Sequence, residues 1–101
     1  MYRLSWVLPA FNEVENIGGS IRAAQMALDS LVQAGRLEDW EIVVVDDGSK
    51  DETSQILDKI KRQDARARII RTSANGIISA LNIGLAECKG DYIARMDADD
   101  R

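Results

Sequence analysis

Two pairs of aspartates carry the chemistry this chain could do. Asp97 and Asp99 lie in Arg95-Met96-Asp97-Ala98-Asp99-Asp100-Arg101, directly after an apolar segment that reads as a β-strand, and Asp46-Asp47 close the apolar run Ile42-Val43-Val44-Val45. Strand side chains alternate with period two, so Asp97 and Asp99 are expected to face one ligand together. The sequence has no histidine and a single cysteine, and hard oxygen donors of this kind suit Mg2+ or Mn2+. Mg2+ usually takes one or two protein carboxylates and completes its shell with substrate phosphates and water, so an acidic site of this sort can hold a diphosphate. Asp46 and Asp47 could accept hydrogen bonds from a base N–H or a ribose hydroxyl in the same cleft. Phe11 offers a flat apolar face, and Gly76, after Asn75, allows close backbone approach. Together these residues describe a pocket for a nucleoside diphosphate.

The elements that must position them follow from periodicity. Arg3 to Pro9 is a first strand, ended by the only proline. Asn12 with Glu15 predicts a capped helix whose apolar face is Ile17, Ile21, Ala24, Leu28 and Leu31, stopping near Gly35. Trp40 to Val45 is nearly continuous in apolar residues, as a parallel strand covered on both faces should be. Ser49 with Glu52 predicts a second capping box and a helix through Ile56, Leu57 and Ile60. Arg68 to Thr72 is a third strand. A third helix carries Ile77, Ala80, Leu81, Gly84, Leu85 and a packing Cys88, and Asp91 to Met96 is a fourth strand. The charge-rich stretch Lys59 to Arg68 reads as a solvated helix end and loop.

The β-α-β-α-β-α-β order predicts an α/β fold of three layers, αβα, with a parallel Rossmann-like sheet of about four strands in the order 3-2-1-4. Ligands of such sheets lie beyond the carboxyl ends of the strands where the order reverses, here between strands 1 and 4. Pro9-Ala10-Phe11, Asp46-Asp47 and Asp97-Ala98-Asp99 all belong to that edge.

With 101 residues the chain is one domain at most, and 46 % apolar with 30 % charged residues is an ordinary globular composition. A net charge of −4 argues against nucleic acid as a partner, which calls for clustered Lys and Arg. No apolar run approaches the ~20 residues of a membrane helix. The lone cysteine and the absence of a signal-like amino terminus fit a cytoplasmic setting.

Three segments in order then resemble one family, the inverting GT-A glycosyltransferases of family 2. Val7-Leu8-Pro9-Ala10-Phe11-Asn12-Glu13 is similar to the family's opening strand and loop, and Val43 through Asp46-Asp47-Gly48-Ser49-Lys50-Asp51-Glu52-Thr53 to its base-binding segment. Asn75-Gly76 through Ala86, followed by Gly90 to Asp100, resembles its third helix and DxD motif. The resemblance implies that Asp46 contacts the base and that Pro9, Ala10, Phe11 and Glu13 line the nucleoside pocket. It implies Asp99 as the main metal ligand and Asp97 beside it, toward the ribose or the metal shell, with Mn2+ or Mg2+ as cofactor. It further implies a nucleotide-sugar donor, a UDP-sugar of hexosyltransferase type, and a saccharide or lipid-linked acceptor. The general base is expected beyond Arg101, so residues 1–101 read as the donor half of a longer enzyme, with none of the catalytic bases.

Plainer readings stand beside these. Asp47 could merely shape the turn, and Phe11 could be packing. A phosphoacceptor receiver domain is also a parallel α/β fold with aspartates around Mg2+, although a full strand and helix precede Asp46 here. A nucleotide-binding module without chemistry of its own is the third reading.

Overall fold

A computed structural model describes residues 2–10, 17–48, 52–73 and 76–95. Among the described residues seven elements alternate: β1 (Arg3–Ala10), α1 (Ile17–Gln33), β2 (Asp39–Asp47), α2 (Thr53–Gln63), β3 (Ala67–Thr72), α3 (Ile77–Glu87) and β4 (Tyr92–Arg95). The strands form one parallel sheet in the order β3-β2-β1-β4, as the sequence predicts. That order also separates the chain from receiver domains, whose doubly wound sheet runs 2-1-3-4-5 and places strand 1 between strands 2 and 3. Here β1 lies between β2 and β4, and β3 is an outer strand.

The unbroken run in β2 has its predicted cause. Ile42, Val43, Val44 and Val45 are all fully buried, which requires cover on both faces of the sheet. Leu8, Ala10, Trp40, Ile42 and Val44 pack with Ile17, Ile21, Ala24 and Leu28 of α1 and Leu57 and Ile60 of α2. On the opposite face α3 crosses β1 and β2 so closely that a Cβ built on Gly84 would stand 2.8 Å from Val7 Cγ1 and 2.9 Å from Val45 Cγ2. Right-handed crossovers force this division, since two successive connections step one way across the sheet and the third steps back past β1.

α1 ends as its glycine predicts. Gly35 has φ 73°, its N–H donates to Val32 O at 3.0 Å, and Arg36 N–H reaches Leu31 O at 2.9 Å. This paired closure satisfies carbonyls that the helix leaves open and needs a left-handed residue at Gly35.

Several details differ from expectation. Pro9 does not end β1, which continues to Ala10; among the described residues the β4 partners reach only Val7, so Pro9 lies past that ladder. α2 starts at Thr53 with Glu52 at the cap position and no side-chain cap from Glu52, three residues later than a box opened by Ser49 would place it. Leu31 is 37 % exposed, because the apolar stripe of α1 leaves the sheet after Leu28. Cys88 is half-buried, its thiol donating to Gly84 O at 3.2 Å.

Arg66 is not part of a solvated run. Its guanidinium stacks 3.7 Å from the Trp40 ring centroid and pairs with Asp64 and Asp29 at 3.2 and 3.3 Å, while Trp40 Nε1 donates to Asp29 Oδ1. The planar cation covers the indole and turns the β3 entry into a fixed corner.

Candidate functional site

The carboxyl edge of the sheet gathers the described members of the predicted pocket. Register places Pro9 beside Val45 and Ala10 beside Asp46 at the ends of β1 and β2, and all four are buried. β4 runs parallel beside β1, with Arg95 level with Val7, so it points toward the same edge. Phe11, Glu13, Asp97 and Asp99 lie outside the described residues, as do the expected caps Asn12 and Ser49.

Asp46 and Asp47 point to opposite faces of the sheet, because adjacent strand residues must. Asp46, 2 % exposed, turns toward α2, where Ser54 Oγ donates to Oδ2 at 2.7 Å. Arg71, its register partner on β3, holds Nε 3.9 Å from the same oxygen. Arg71 also donates to Asp58 Oδ1 at 2.7 Å and to Ser54 O at 3.2 Å, and that hydrogen bond lowers the Asp58 carboxyl below its ordinary range. Ser54, Arg71 and Asp58 thus form a polar frame around Asp46 that sequence reasoning missed. Ser54 could have been found as the second residue of the helix that follows the Asp-Gly turn, whereas Arg71 needed the β2–β3 register.

Asp47, 6 % exposed, turns toward α3. Its Oδ1 accepts from Thr72 Oγ1 at 2.6 Å and its Oδ2 from Gly76 N–H at 2.9 Å. Gly76 sits at the N-cap of α3 with φ 98° and ψ 158°, a region essentially restricted to glycine.

The opposite, amino-terminal edge carries a different polar cluster. Ser5 Oγ donates to Glu41 Oε2 at 2.6 Å, Lys89 N–H donates to the same oxygen at 2.7 Å, and Arg68 Nη1 donates to Oε1 at 3.0 Å. Burial pushes the Glu41 carboxyl upward, but the bonds from Ser5, Lys89 and Arg68 outweigh it and leave the group below its ordinary value. Gly90 fits tightly there, its N–H donating to Ser5 Oγ at 2.8 Å, and a Cβ on it would meet Ser5 N at 2.7 Å. A cleft of about 200 Å3 lined by Arg3, Leu4, Asp39, Trp40, Glu41, Lys89 and Gly90 opens at this end. It lies at the far end of β1 from Ala10, and its Glu41 carboxylate is already held by neighbours, so it is a fold-closing feature. Burial raises the pKa of the Cys88 thiol.

No helix among the described residues is long and apolar enough to cross a membrane. The described residues also hold no group of three or more His, Cys, Asp or Glu able to grip a metal. The oxygen donors of Asp97 and Asp99, in a chain without histidine, suit Mg2+ or Mn2+ in chemical type.

Comparison with known proteins agrees with this fold. The model for glycosyl transferase family 2 matches residues 5–101. An uncharacterized glycosyltransferase of Haemophilus influenzae is 50 % identical over 64 residues, 62 % of this chain and 20 % of its own length. The undecaprenyl-phosphate 4-deoxy-4-formamido-L-arabinose transferase of Salmonella choleraesuis is 35 % identical over 100 residues, 96 % of this chain and 29 % of its own. Among solved structures, the mannosyltransferase PcManGT of Pyrobaculum calidifontis, in complex with GDP-Man and Mn2+, superposes with TM-score 0.79 at 22 % identity, covering 97 % of this chain and 28 % of that one. S. aureus TarS 1-349 in complex with UDP superposes with TM-score 0.75 at 23 % identity, covering 96 % and 27 %. These two likenesses speak to the fold, and the chain spans less than a third of each relative. With that family match over nearly its whole length, the chain belongs to glycosyl transferase family 2.

Proposed function

We infer that this chain is the donor-binding part of a glycosyltransferase and that it holds a nucleoside diphosphate sugar at the carboxyl edge of its sheet. One observation carries the reading: β1 ends at Ala10 beside Asp46, one residue before the end of β2, and beside a parallel β4 that leads in sequence to Asp97 and Asp99. In this reading Asp46, fixed by Ser54, contacts the base, and Pro9, Ala10, Phe11 and Glu13 line the nucleoside pocket, with Gly76 at its rim. Asp99 and Asp97 hold Mn2+ or Mg2+, with Asp97 toward the ribose. A cation bound there offsets charge on the departing nucleoside diphosphate.

The described residues bind and orient; the base that takes the acceptor's proton is supplied by the acceptor-binding part of a longer protein. The short span of the chain against its relatives supports that division. The donor is a UDP-hexose and transfer inverts the anomeric carbon, by resemblance to the family. A saccharide or lipid-linked acceptor fits the undecaprenyl-phosphate transferase relative, and the lone cysteine supports a cytoplasmic setting.

Calorimetric titration with UDP and with GDP, each with and without Mn2+, tests the reading. Binding of one nucleotide that needs the metal is expected. Nucleotide binding indifferent to Mn2+ would leave a binding module without the proposed metal site, and no binding of either nucleotide would overturn the donor-site assignment.

A further inference from the structure

We propose that Glu41, at the amino-terminal edge of the sheet, is a positioning residue for the metal site at the opposite edge. Acting with Ser5, it grips the connection between α3 and β4 and so fixes the register of β4, from which the chain leads to Asp97 and Asp99. The inference rests on the donor-site reading and deepens it, since it concerns what aligns the metal-holding pair with the ends of β1 and β2.

β4 does not select its own register. It has four residues, Tyr92–Arg95, and among the described residues it pairs with β1 alone. Tyr92 and Ile93 are neighbours and so face opposite sides of the sheet, yet they are 55 % and 49 % exposed. The edge-on contact of Tyr92 with Tyr2, 4.8 Å between ring centroids, is to another exposed ring. Register is weakly specified where burial favours neither face. A slip of one residue would move the chain by about 3.3 Å and turn every following side chain to the other side of the sheet.

The connection before β4 supplies what the strand lacks. Three successive N–H groups are taken in order: Lys89 donates to Glu41 Oε2 at 2.7 Å, Gly90 to Ser5 Oγ at 2.8 Å and Asp91 to Arg3 O at 2.8 Å. Asp91 Oδ2 accepts in return from Arg3 N–H at 2.9 Å. Glu41 is the register partner of Ser5, whose hydroxyl donates to the same Oε2 at 2.6 Å, and Glu41 Oε1 accepts from Arg68 of β3 at 3.0 Å. One carboxylate on β2 therefore joins β1, β3 and the connection. Only glycine fits at the centre of this grip, because a Cβ at position 90 would stand 2.7 Å from both Ser5 N and Ser5 Oγ and 2.9 Å from Arg3 O. A one-residue slip would bring the side chain of Lys89 or Asp91 into that gap, so the connection admits one register and excludes its neighbours.

Asp97 and Asp99 follow Arg95 by two and four residues, and Arg95 is level with Val7 of β1. The register held at Lys89–Asp91 is thus carried along β4 to the start of the metal-holding segment, while Ala10 and Asp46 are aligned separately by the β1–β2 ladder. Loosening the grip should misplace the carboxylates and leave the rest of the sheet in order.

The test compares wild type with Glu41→Ala, Glu41→Gln, Ser5→Ala and Gly90→Ala, and with Ile60→Ala, which empties core space under α2 and leaves β4 alone. In Glu41→Gln the amide oxygen can still accept from Lys89 N–H and Ser5 Oγ, so the grip survives without its charge. Calorimetry with the UDP–Mn2+ and GDP–Mn2+ pairs is read beside the cross-strand NOEs that pair Ser5 with Ile93 and Trp6 with Ala94, and denaturant midpoints confirm that each protein is folded. Glu41→Ala and Gly90→Ala are expected to lose those NOEs and to weaken Mn2+-dependent nucleotide binding by about tenfold or more, the scale on which an ångström of misplacement acts. Ser5→Ala, which adds no clash, should move both readouts the same way and stands in if Gly90→Ala does not fold. Glu41→Gln and Ile60→Ala should stay near wild type in both. Intact NOEs in folded Glu41→Ala and Ser5→Ala would overturn the proposal, as would full Mn2+-dependent affinity in a variant whose NOEs are lost. An equal loss of affinity in Ile60→Ala would show general destabilisation and overturn it as well. If wild type binds neither nucleotide with Mn2+, the donor-site reading fails, while the NOEs still decide whether Glu41 holds the register of β4.

Discussion

Replacing Gly84 by alanine tests the contact that brings α3 onto the sheet, and its cost can be worked from two distances. The added Cβ would lie 2.8 Å from Val7 Cγ1 and 2.9 Å from Val45 Cγ2, against about 3.5–4.0 Å for relaxed carbon contacts. Neither valine can turn aside, because β-branched side chains in a packed strand have one comfortable χ1 and both residues are fully buried. The helix must therefore lift by most of an ångström along its contact with β1 and β2. Overpacking of this kind costs about 1–3 kcal/mol. The better helix propensity of alanine returns up to about 1 kcal/mol. A net loss of about 1–2 kcal/mol is expected, read as a lower urea midpoint at unchanged slope. Gly19→Ala is the matched control: nothing lies within 4 Å of its Cβ position, so it should be neutral or gain about 0.4–1 kcal/mol. If Gly84→Ala proves as stable as Gly19→Ala, α3 does not approach the sheet as described and the placement of Gly76 loses its support.

Two further outcomes follow from the polar frames. Ser54→Ala removes the donor to the nearly fully buried Asp46 and should cost about 1–3 kcal/mol in the denaturant midpoint, with weaker nucleotide binding in the same protein. Glu41 has a folded pKa below its ordinary value, so its contribution to stability is present above the ordinary carboxylate pKa and is lost as pH falls through the lowered one. Glu41→Gln should therefore flatten the fall of the melting temperature on acidification, and an unchanged acid limb would show that the Ser5, Lys89 and Arg68 bonds do not favour the ionised form.

The fold was legible because its strongest signals are local. Four consecutive β-branched residues in β2 declared a strand covered on both faces, and Gly35 declared the end of α1. The sheet order followed from alternation and handedness alone. Details that depend on neighbours across the sheet were not legible. Thr72 meets Asp47 only through the β2–β3 register, and Gly84 is an unremarkable helix interruption until the strands beneath it are placed. One feature was within reach: the period-two rule that groups Asp97 with Asp99 also separates Asp46 from Asp47. Their opposite partners, Ser54 and Thr72, are the result of that rule. Arg66 escaped the reading as solvated charge because the ring it covers, Trp40, lies on another strand.

The central claim, that a metal-bound nucleotide sits at the carboxyl edge of the sheet, is tested most directly by paramagnetic broadening of backbone amide signals on adding Mn2+ with UDP or GDP. The two edges are separated along β1 by seven residue steps, about 23 Å at about 3.3 Å per residue. Nucleotide-dependent broadening is expected at Ala10, Asp46, Gly48 and Gly76, with Arg3, Asp39 and Lys89 left sharp. Broadening centred on Arg3, Asp39 and Lys89, or none that depends on the nucleotide, would contradict the account.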